Sequence, residues 1–263
     1  MDPGTGAARL RTVEADATLS PALLDAVAQL SVAVPSKVSL RARDVVVPAA
    51  GADGRVPLDQ CAFDADLSVT IAGLKVPGPD GAPVVLEVTG IKGNAKAVPL
   101  AKGIDFDLRA TALTGTDPFG MQGSYRPGGP LGGNGRLRIT KLPTALVRPF
   151  VPKSVPVDLA RDLGDSIDDL EATVASGDSP EVELVIQCPN VKTAVKATLR
   201  TDGSWHGEPG SECTVLAVHP QVMQALGIRT DGPFGFAARL RRLDVPGGMH
   251  PDLSRLAVDL DVG

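Results

Sequence analysis

Single-residue alternation between apolar and polar side chains is the feature that most constrains this 263-residue chain. In residues 63–71, the apolar side chains from Phe63 to Ile71 are each separated by one polar residue. A period of two places the apolar side chains on one face of a β-strand and the polar ones on the other. Regular alternation recurs at 104–112, 135–141, 182–188, 191–199, 234–240 and 256–262, and less regular strands are predicted at 38–47, 84–91, 168–175 and 211–218.

Glycine and proline separate these predicted strands. The chain contains 29 Gly and 23 Pro, and clusters such as 77–81 and 126–130 are typical of turns between antiparallel strands. Many short half-apolar strands with turn signals between them predict a mainly β, antiparallel fold. A few short helices are expected between groups of strands, most of them beginning with proline, at 21–27, 142–147, 156–163 and 220–226.

The composition excludes several classes of function. Hydrophobic residues reach 43%, which is enough for a sizeable core. A formal charge of −5 and only 3% aromatic residues argue against a nucleic-acid partner and against a sugar-stacking platform. No apolar run approaches the 18 residues of a membrane-spanning helix, and the N-terminal residues lack the apolar core of a secretion signal. We therefore expect either a cytosolic protein or a piece of a longer exported chain.

Residues that could carry chemistry do not assemble into a recognisable motif. Cys61, Cys188 and Cys213 are widely spaced, so we expect free, buried thiols, although one bridged pair in an oxidising compartment is left open. The histidines lack metal-ligand spacing, and the glycine-rich segment 128–135 lacks the Lys-Ser/Thr of a phosphate loop. Asp64 shares a strand face with Asp66 but has no nucleophile nearby in sequence. We predict no catalytic residue, no metal, no cofactor and no enzymatic activity.

An internal repeat relates the two ends of the chain. Residues 39–48 match 237–246, with two arginines, a valine and a proline at a constant offset. A proline-started segment precedes each copy, and an alternating strand with two aspartates follows it. Repeated units of this kind bury their apolar faces against their neighbours. We predict a poorly ordered segment 1–13 and one continuous β domain over 14–263, in three repeats: 14–135, 136–212 and an incomplete 213–263.

Four segments resemble the repeats of bacterial AsmA/TamB-like proteins. Residues 136–147 combine an alternating strand with an LPTALV-type short helix, and 162–174 resemble the strand that follows it. Residues 18–24 and 217–223 are similar to the Leu-Thr-Pro-Glu-Leu step of the same repeats. The resemblance extends over about 14–262. It implies a repeating β-groove, which is a long twisted antiparallel sheet with an apolar inner surface. Family members are anchored in the inner membrane, face the periplasm, and carry phospholipid or support outer-membrane assembly.

The resemblance and the alternation together give the function that we expect. The chain is predicted to be a non-enzymatic, periplasmic segment that binds phospholipid acyl chains, with membrane-associated proteins as further partners. Two alternatives stay open at this stage: a structural or interaction β-module with a closed core and no ligand, and an enzyme whose site has escaped detection. The residues predicted to face lipid are Phe63, Leu67, Val69, Ile71, Phe106, Leu108, Leu137, Ile139, Leu184, Ile186, Val258 and Leu260.

Overall fold

The structure, a computed structural model, confirms the mainly β fold class. The described strands pair in antiparallel sheets, three of them in a small separate sheet, and the described α-helices are short. The structure describes residues 7–21, 31–32, 35–51, 54–71, 74–77, 83–86, 88–112, 118–129, 131–148, 158–208, 211–218, 220, 224, 229, 231–246 and 257–262.

The strands follow the alternating segments of the sequence. They are β1 (Ala8–Leu19), β2 (Ser31–Val32), β3 (Ser36–Val47), β4 (Ala62–Thr70), β5 (Leu74–Pro77), β6 (Pro83–Leu86), β7 (Val88–Ala97), β8 (Ile104–Ala112), β9 (Phe119–Pro127), β10 (Gly133–Pro143), β11 (Ser166–Ala175), β12 (Glu181–Gln187), β13 (Val191–Leu199), β14 (Trp205–Gly207), β15 (Glu212–Val218), β16 (Phe234–Val245) and β17 (Ala257–Val262). The helices whose bounds fall within the described residues are α1 (Thr144–Val147) and α2 (Leu159–Leu163), with 3-10 turns at Leu58–Gln60 and Leu100–Lys102.

The chain divides into two compact units. Unit 1, Met1–Pro127, has a larger sheet with the strand order β1-β3-β4-β7-β8-β9 and a small sheet with the order β2-β5-β6. Unit 2, Gly128–Gly263, begins with the meander β10-β11-β12-β13. Strand β13 then pairs with both β14 and β15, and β16 pairs with these two strands and with β17. All these pairings are antiparallel, because turns rather than crossover helices connect most of the strands.

Most predicted strands agree with the structure to within two residues. The ranges 104–112 and 191–199 coincide with β8 and β13. Strand β1 was not predicted, and it extends into the segment 1–13 that we expected to be poorly ordered. Its alternation is obscured because Arg9 and Arg11 occupy positions that are apolar further along the strand. The boundary between the two compact units falls at 127/128, and the division of 14–263 into three repeats stays a prediction.

The predicted helices have mixed outcomes. The prediction at 142–147 corresponds to α1, and the prediction at 156–163 corresponds to the shorter α2. Helix α2 begins after Asp158, whose side chain accepts a hydrogen bond from the backbone N–H of Arg161 and so caps the helix. The predicted helices at 21–27 and 220–226 lie almost entirely outside the described residues.

Small side chains dominate the buried interior of unit 1. Ala42 and Ala65 face each other across β3 and β4, and both are buried. Phe119 and Ile71 are the larger buried side chains in this unit. Because this interior consists mostly of small alanine side chains, it does not enclose most of the leucine, isoleucine and phenylalanine side chains of the sheet.

Candidate functional site

Apolar side chains from five strands lie on one face of the unit 1 sheet. Residues directly opposite one another in antiparallel strands share a face, so the register assigns each side chain to a face. The central row runs across β3, β4, β7, β8 and β9, with Gly93 between two leucines. The unit 1 apolar face consists of the row Leu40, Leu67, Gly93, Leu108 and Met121, the row Val38, Val69, Ile91, Ala110 and Phe119, and the row Ala42, Ala65, Ala95, Phe106 and Gly123.

Unit 2 has a corresponding apolar face of its own. Its strands bring predicted residues together in pairs: Leu137 and Leu184 lie in one row, and Ile139 and Ile186 lie in the next. The second row continues through β13, β15 and β16 to Val262 at the edge. The unit 2 apolar face consists of the row Leu137, Ala172, Leu184 and Val195 and the row Ile139, Leu170, Ile186, Thr193, Cys213, Ala238 and Val262.

Most of the predicted lipid-facing side chains are neither enclosed nor fully exposed. Nine of the twelve are half-buried; Ile71 is buried at 7% exposure, and Val258 is 46% exposed. The side chain of Leu260 lies outside the described part of the structure, although its backbone pairs with Leu240. The half-buried residues are Phe63, Leu67, Val69, Phe106, Leu108, Leu137, Ile139, Leu184 and Ile186. A row of half-buried large side chains presents continuous apolar surface that the described part of the chain does not fully cover.

The opposite face of unit 1 carries cross-strand ion pairs. Arg41 pairs with Glu14 at 3.1 Å, and Arg43 pairs with Asp66 at 2.7 Å. The carboxylate of Asp64, which shares this face with Asp66, accepts a hydrogen bond from the amide of Asn94 at 2.7 Å. Both aspartates that sequence reasoning considered as a possible catalytic pair are therefore held by neighbouring strands.

Ion pairs also cover the polar face of unit 2. Arg239, Arg241 and Arg242 pair with Glu212, Asp261 and Asp244 respectively. These exposed pairs are the cross-strand contacts that are expected of arginines on a solvated sheet face, where each contributes little stability. Asp244 also accepts from Nδ1 of His206 at 2.8 Å. This bond, followed by the contact with Arg242, lowers the pKa of the Asp244 carboxyl.

One polar row of unit 1 places two cations directly opposite each other. The register sets Lys92 against Arg109, and Ser68 lies on the other side of Lys92. Neither cation forms an ion pair with any side chain in the described ranges. Like charges at directly opposed positions of two strands repel each other. These residues line a shallow depression of about 500 Å³ together with Asp66, Asn94 and Asp107. Sequence reasoning missed this pair because the register, which the sequence does not reveal, brings it together.

The remaining sequence candidates have structural roles. The three cysteines are free; Cys188 is buried, which raises the pKa of its thiol, and Cys61 and Cys213 are half-buried. The hydroxyl of Ser176 accepts from the backbone N–H of Leu131, in the glycine-rich segment, at 2.8 Å. Within the described ranges, no group of three His, Cys, Asp or Glu side chains is arranged to hold a metal ion.

Comparisons with known proteins returned no relative. No family model matches the chain, and neither the curated proteins nor the solved structures include a significant match. In the part of the chain that the structure describes, no helix has the length and apolar character needed to cross a lipid bilayer. Functional inference therefore depends on the geometry of the two sheet faces.

Proposed function

We propose that this protein binds phospholipid acyl chains along its apolar sheet faces and acts, without catalysis, as a segment of a lipid-transport or outer-membrane assembly protein. The observation that carries the proposal is the half-buried state of the large apolar side chains, Leu67 and Leu108 foremost, at the centre of the unit 1 apolar face. An apolar sheet face must be covered by something, and acyl chains are one cover that fits it.

The chemistry of the face suits acyl chains better than a polar ligand. Its rows contain Leu, Ile, Val, Phe, Met, Ala and Gly, with charged groups confined to the opposite face. The side chains of this face contain no hydrogen-bonding groups that could recognise a lipid headgroup. Each methylene removed from water contributes about 0.8 kcal/mol, so a few enclosed carbons already give useful affinity.

The resemblance to AsmA/TamB-like repeats supports the same function and adds the cellular setting. On that basis we propose a periplasmic location, with an inner-membrane anchor in the complete protein, and membrane-associated partner proteins. Two pairs of strands have the same arrangement, as expected of a repeat-built groove. Strands β3 and β16 both have 12 residues, and each pairs with an alternating strand that contains two aspartates.

The second candidate function is a structural or interaction module with a closed core. It requires the chain's own side chains to enclose the apolar faces. Buried side chains in the described part are instead mostly small in unit 1, and Ala97 and Ala110 at 1% exposure are among the most enclosed. This distribution favours an external cover over an internal one.

Photo-crosslinking tests the lipid proposal directly. A photoreactive amino acid is placed at Leu67 or Leu108, on the apolar face, and at Thr70 or Asp107, which lie on the polar face of the same strands. The purified variants are irradiated with phosphatidylethanolamine vesicles, and mass spectrometry identifies adducts. We expect lipid adducts at the two leucine positions and few at the two polar positions.

Native mass spectrometry provides the second readout. Phospholipid that copurifies with the wild-type chain is expected to be lost from a Leu67→Asn/Leu108→Asn variant that keeps its far-UV circular dichroism. The matched control, Ser68→Asn/Asp107→Asn, changes the polar face of the same strands and is expected to retain lipid. Equal crosslinking on both faces, or unfolding of the leucine variant without any bound lipid in the wild type, would favour the closed module.

A further inference from the structure

Strand β1 presents a long edge that pairs on one side alone. Ala8–Leu19 pairs with β3 over eleven opposed residues, and within the described ranges no other strand pairs with it. Nine of its twelve residues are exposed, including Leu10 at 44% exposure. Backbone N–H and C=O groups on an unpaired edge are a template for another strand.

The usual protections of an edge are missing from most of β1. Its sequence contains no proline, glycine or lysine, and its pairing with β3 shows no register shift. Arg9 and Arg11 lie on the apolar side and protect the first third of the strand, but residues 12–19 lack such charges. By contrast, β17 has six residues and an irregular register with β16.

Charge indicates what kind of strand this edge accepts. The polar positions of residues 12–19 are Thr12, Glu14, Asp16 and Thr18, which carry two negative charges. Strand β3, which pairs with the other edge of β1, places Lys37, Ser39, Arg41 and Arg43 opposite them.

The same combination of acidic and basic strands occurs twice in unit 2. The basic strand β10 pairs with the acidic strand β11, where Arg138 binds Asp169. The basic strand β16 pairs with the acidic strand β17, where Arg241 binds Asp261. In this protein an acidic strand is thus matched repeatedly by a strand in which basic and apolar residues alternate.

We propose that residues 12–19 of β1 bind an extended segment of a partner protein in which basic residues alternate with apolar ones. The segment adds a strand to the edge through backbone hydrogen bonds. Its basic side chains lie beside Glu14 and Asp16, and its apolar side chains continue the row of Val13, Ala15 and Ala17. This inference concerns the sheet edge and does not depend on lipid binding.

A peptide copy of β3 is the probe. The peptide reproduces residues 36–43, and a second peptide has glutamate in place of Lys37, Arg41 and Arg43. A third has the composition of the first but groups its basic residues at one end. We expect the first peptide to bind the full chain and to slow hydrogen exchange of amides in residues 12–19, and we expect the other two to bind weakly.

Charge-reversal variants of the protein provide a second test of the same proposal. Glu14→Lys/Asp16→Lys should weaken binding of the basic peptide about tenfold or more and create binding of the glutamate peptide, because two cross-strand attractions become repulsions. Asp178→Lys/Glu183→Lys makes the same change in net charge at exposed positions of unit 2 and should leave binding unchanged. If the lysine variant does not fold, Glu14→Gln/Asp16→Asn replaces it, with weakened binding expected.

Several outcomes would overturn the inference. These are equal binding of the grouped-charge peptide, exchange protection outside β1, and equal loss of binding in the control variant. A chain that self-associates through β1, detected by sedimentation and by crosslinks between β1 strands of two copies, would also overturn it, since the edge would then be occupied by a second copy.

Discussion

Arg43 donates from Nη2 to Oδ2 of Asp66 at 2.7 Å, and the residue opposite Asp66 in the register is Arg41, two positions earlier. The second copy of the repeat has the same arrangement. Arg241 contacts Asp261 at 2.9 Å, and Arg239 lies opposite Asp261. The matching residues of the two copies therefore make matching diagonal contacts. A register shift lies just after Arg43 in the first copy and around Arg241 in the second. This agreement is structural support for the sequence repeat.

The Arg43–Asp66 pair should contribute little stability and should be sensitive to salt. Both side chains are about half exposed, at 50% and 49%. A double-mutant cycle with Arg43→Ala and Asp66→Ala, measured by urea unfolding with far-UV circular dichroism, should give a coupling energy below about 1 kcal/mol. Concentrated sodium chloride should reduce it further because exposed charges are screened. A coupling above about 2 kcal/mol, or one insensitive to salt, would contradict this account.

Glutamate in place of Lys92 and glutamate in place of Lys96 should change the free energy of unfolding in opposite directions. Lys92 lies directly opposite Arg109, whereas Lys96 lies between Asp64 and Asp105 in the register. Lys92→Glu turns a repulsion into an attraction and should raise the free energy of unfolding by about 0.5 kcal/mol. Lys96→Glu creates two repulsions and should lower it by a similar amount. Urea unfolding of the two variants measures both, and a lower stability of Lys92→Glu would show that the opposed cations do not repel appreciably.

The fold was predictable wherever alternation is uninterrupted. Strand β8 alternates without a break, and its predicted and observed bounds coincide. Strand β9 was missed because Gly120 and Gly123 remove two side chains that would have shown the period. The single strand predicted at 84–91 covers parts of both β6 and β7, and it ends six residues before β7 does because Gly93 and Asn94 interrupt the apolar pattern.

The candidate site was predictable as a set of side chains but not as a surface. Alternation along one strand places Leu67 and Val69 on the same face, and the structure agrees. That β7 lies between β4 and β8, so that Gly93 separates Leu67 from Leu108, depends on strand pairing, which the pattern of a single strand does not encode. Exposure of the β1 edge is likewise a property of the assembled sheet.

Alanine substitutions at Gly129 and Gly132 should distinguish the stability cost of a left-handed backbone from the cost of a steric clash. Both have positive φ, +75° and +83°, in the same turn. A methyl group at Gly129 would overlap the backbone oxygen of Ser176, whereas nothing lies within 4 Å of one at Gly132. Gly132→Ala should cost about 1 kcal/mol for the left-handed backbone alone, and Gly129→Ala should cost about 1–3 kcal/mol more because the chain must move. Unfolding followed by the fluorescence of Trp205, the single tryptophan, reports on this unit. Equal losses of stability in the two variants would show that the left-handed backbone accounts for the whole effect and that the contact with Ser176 adds nothing.

The Arg138–Asp169 contact should make unit 2 lose stability in acid. Arg138 donates to both oxygens of Asp169, at 2.6 Å for the closest contact, and this hydrogen bonding lowers the pKa of the Asp169 carboxyl. A lowered folded-state pKa contributes stability above the unfolded value of about 3.9, and this contribution is lost as the pH falls through the folded value. Asp169→Asn should therefore be less stable than the wild type at neutral pH, and the difference should shrink steadily below about pH 4. Asp168→Asn changes the neighbouring exposed residue, which lies on the other face of β11 from Arg138, and should cost less stability than Asp169→Asn at neutral pH, as measured by Trp205 fluorescence. A difference between Asp169→Asn and the wild type that persists at low pH would mean that the side chain stabilises β11 by packing and not by its charge.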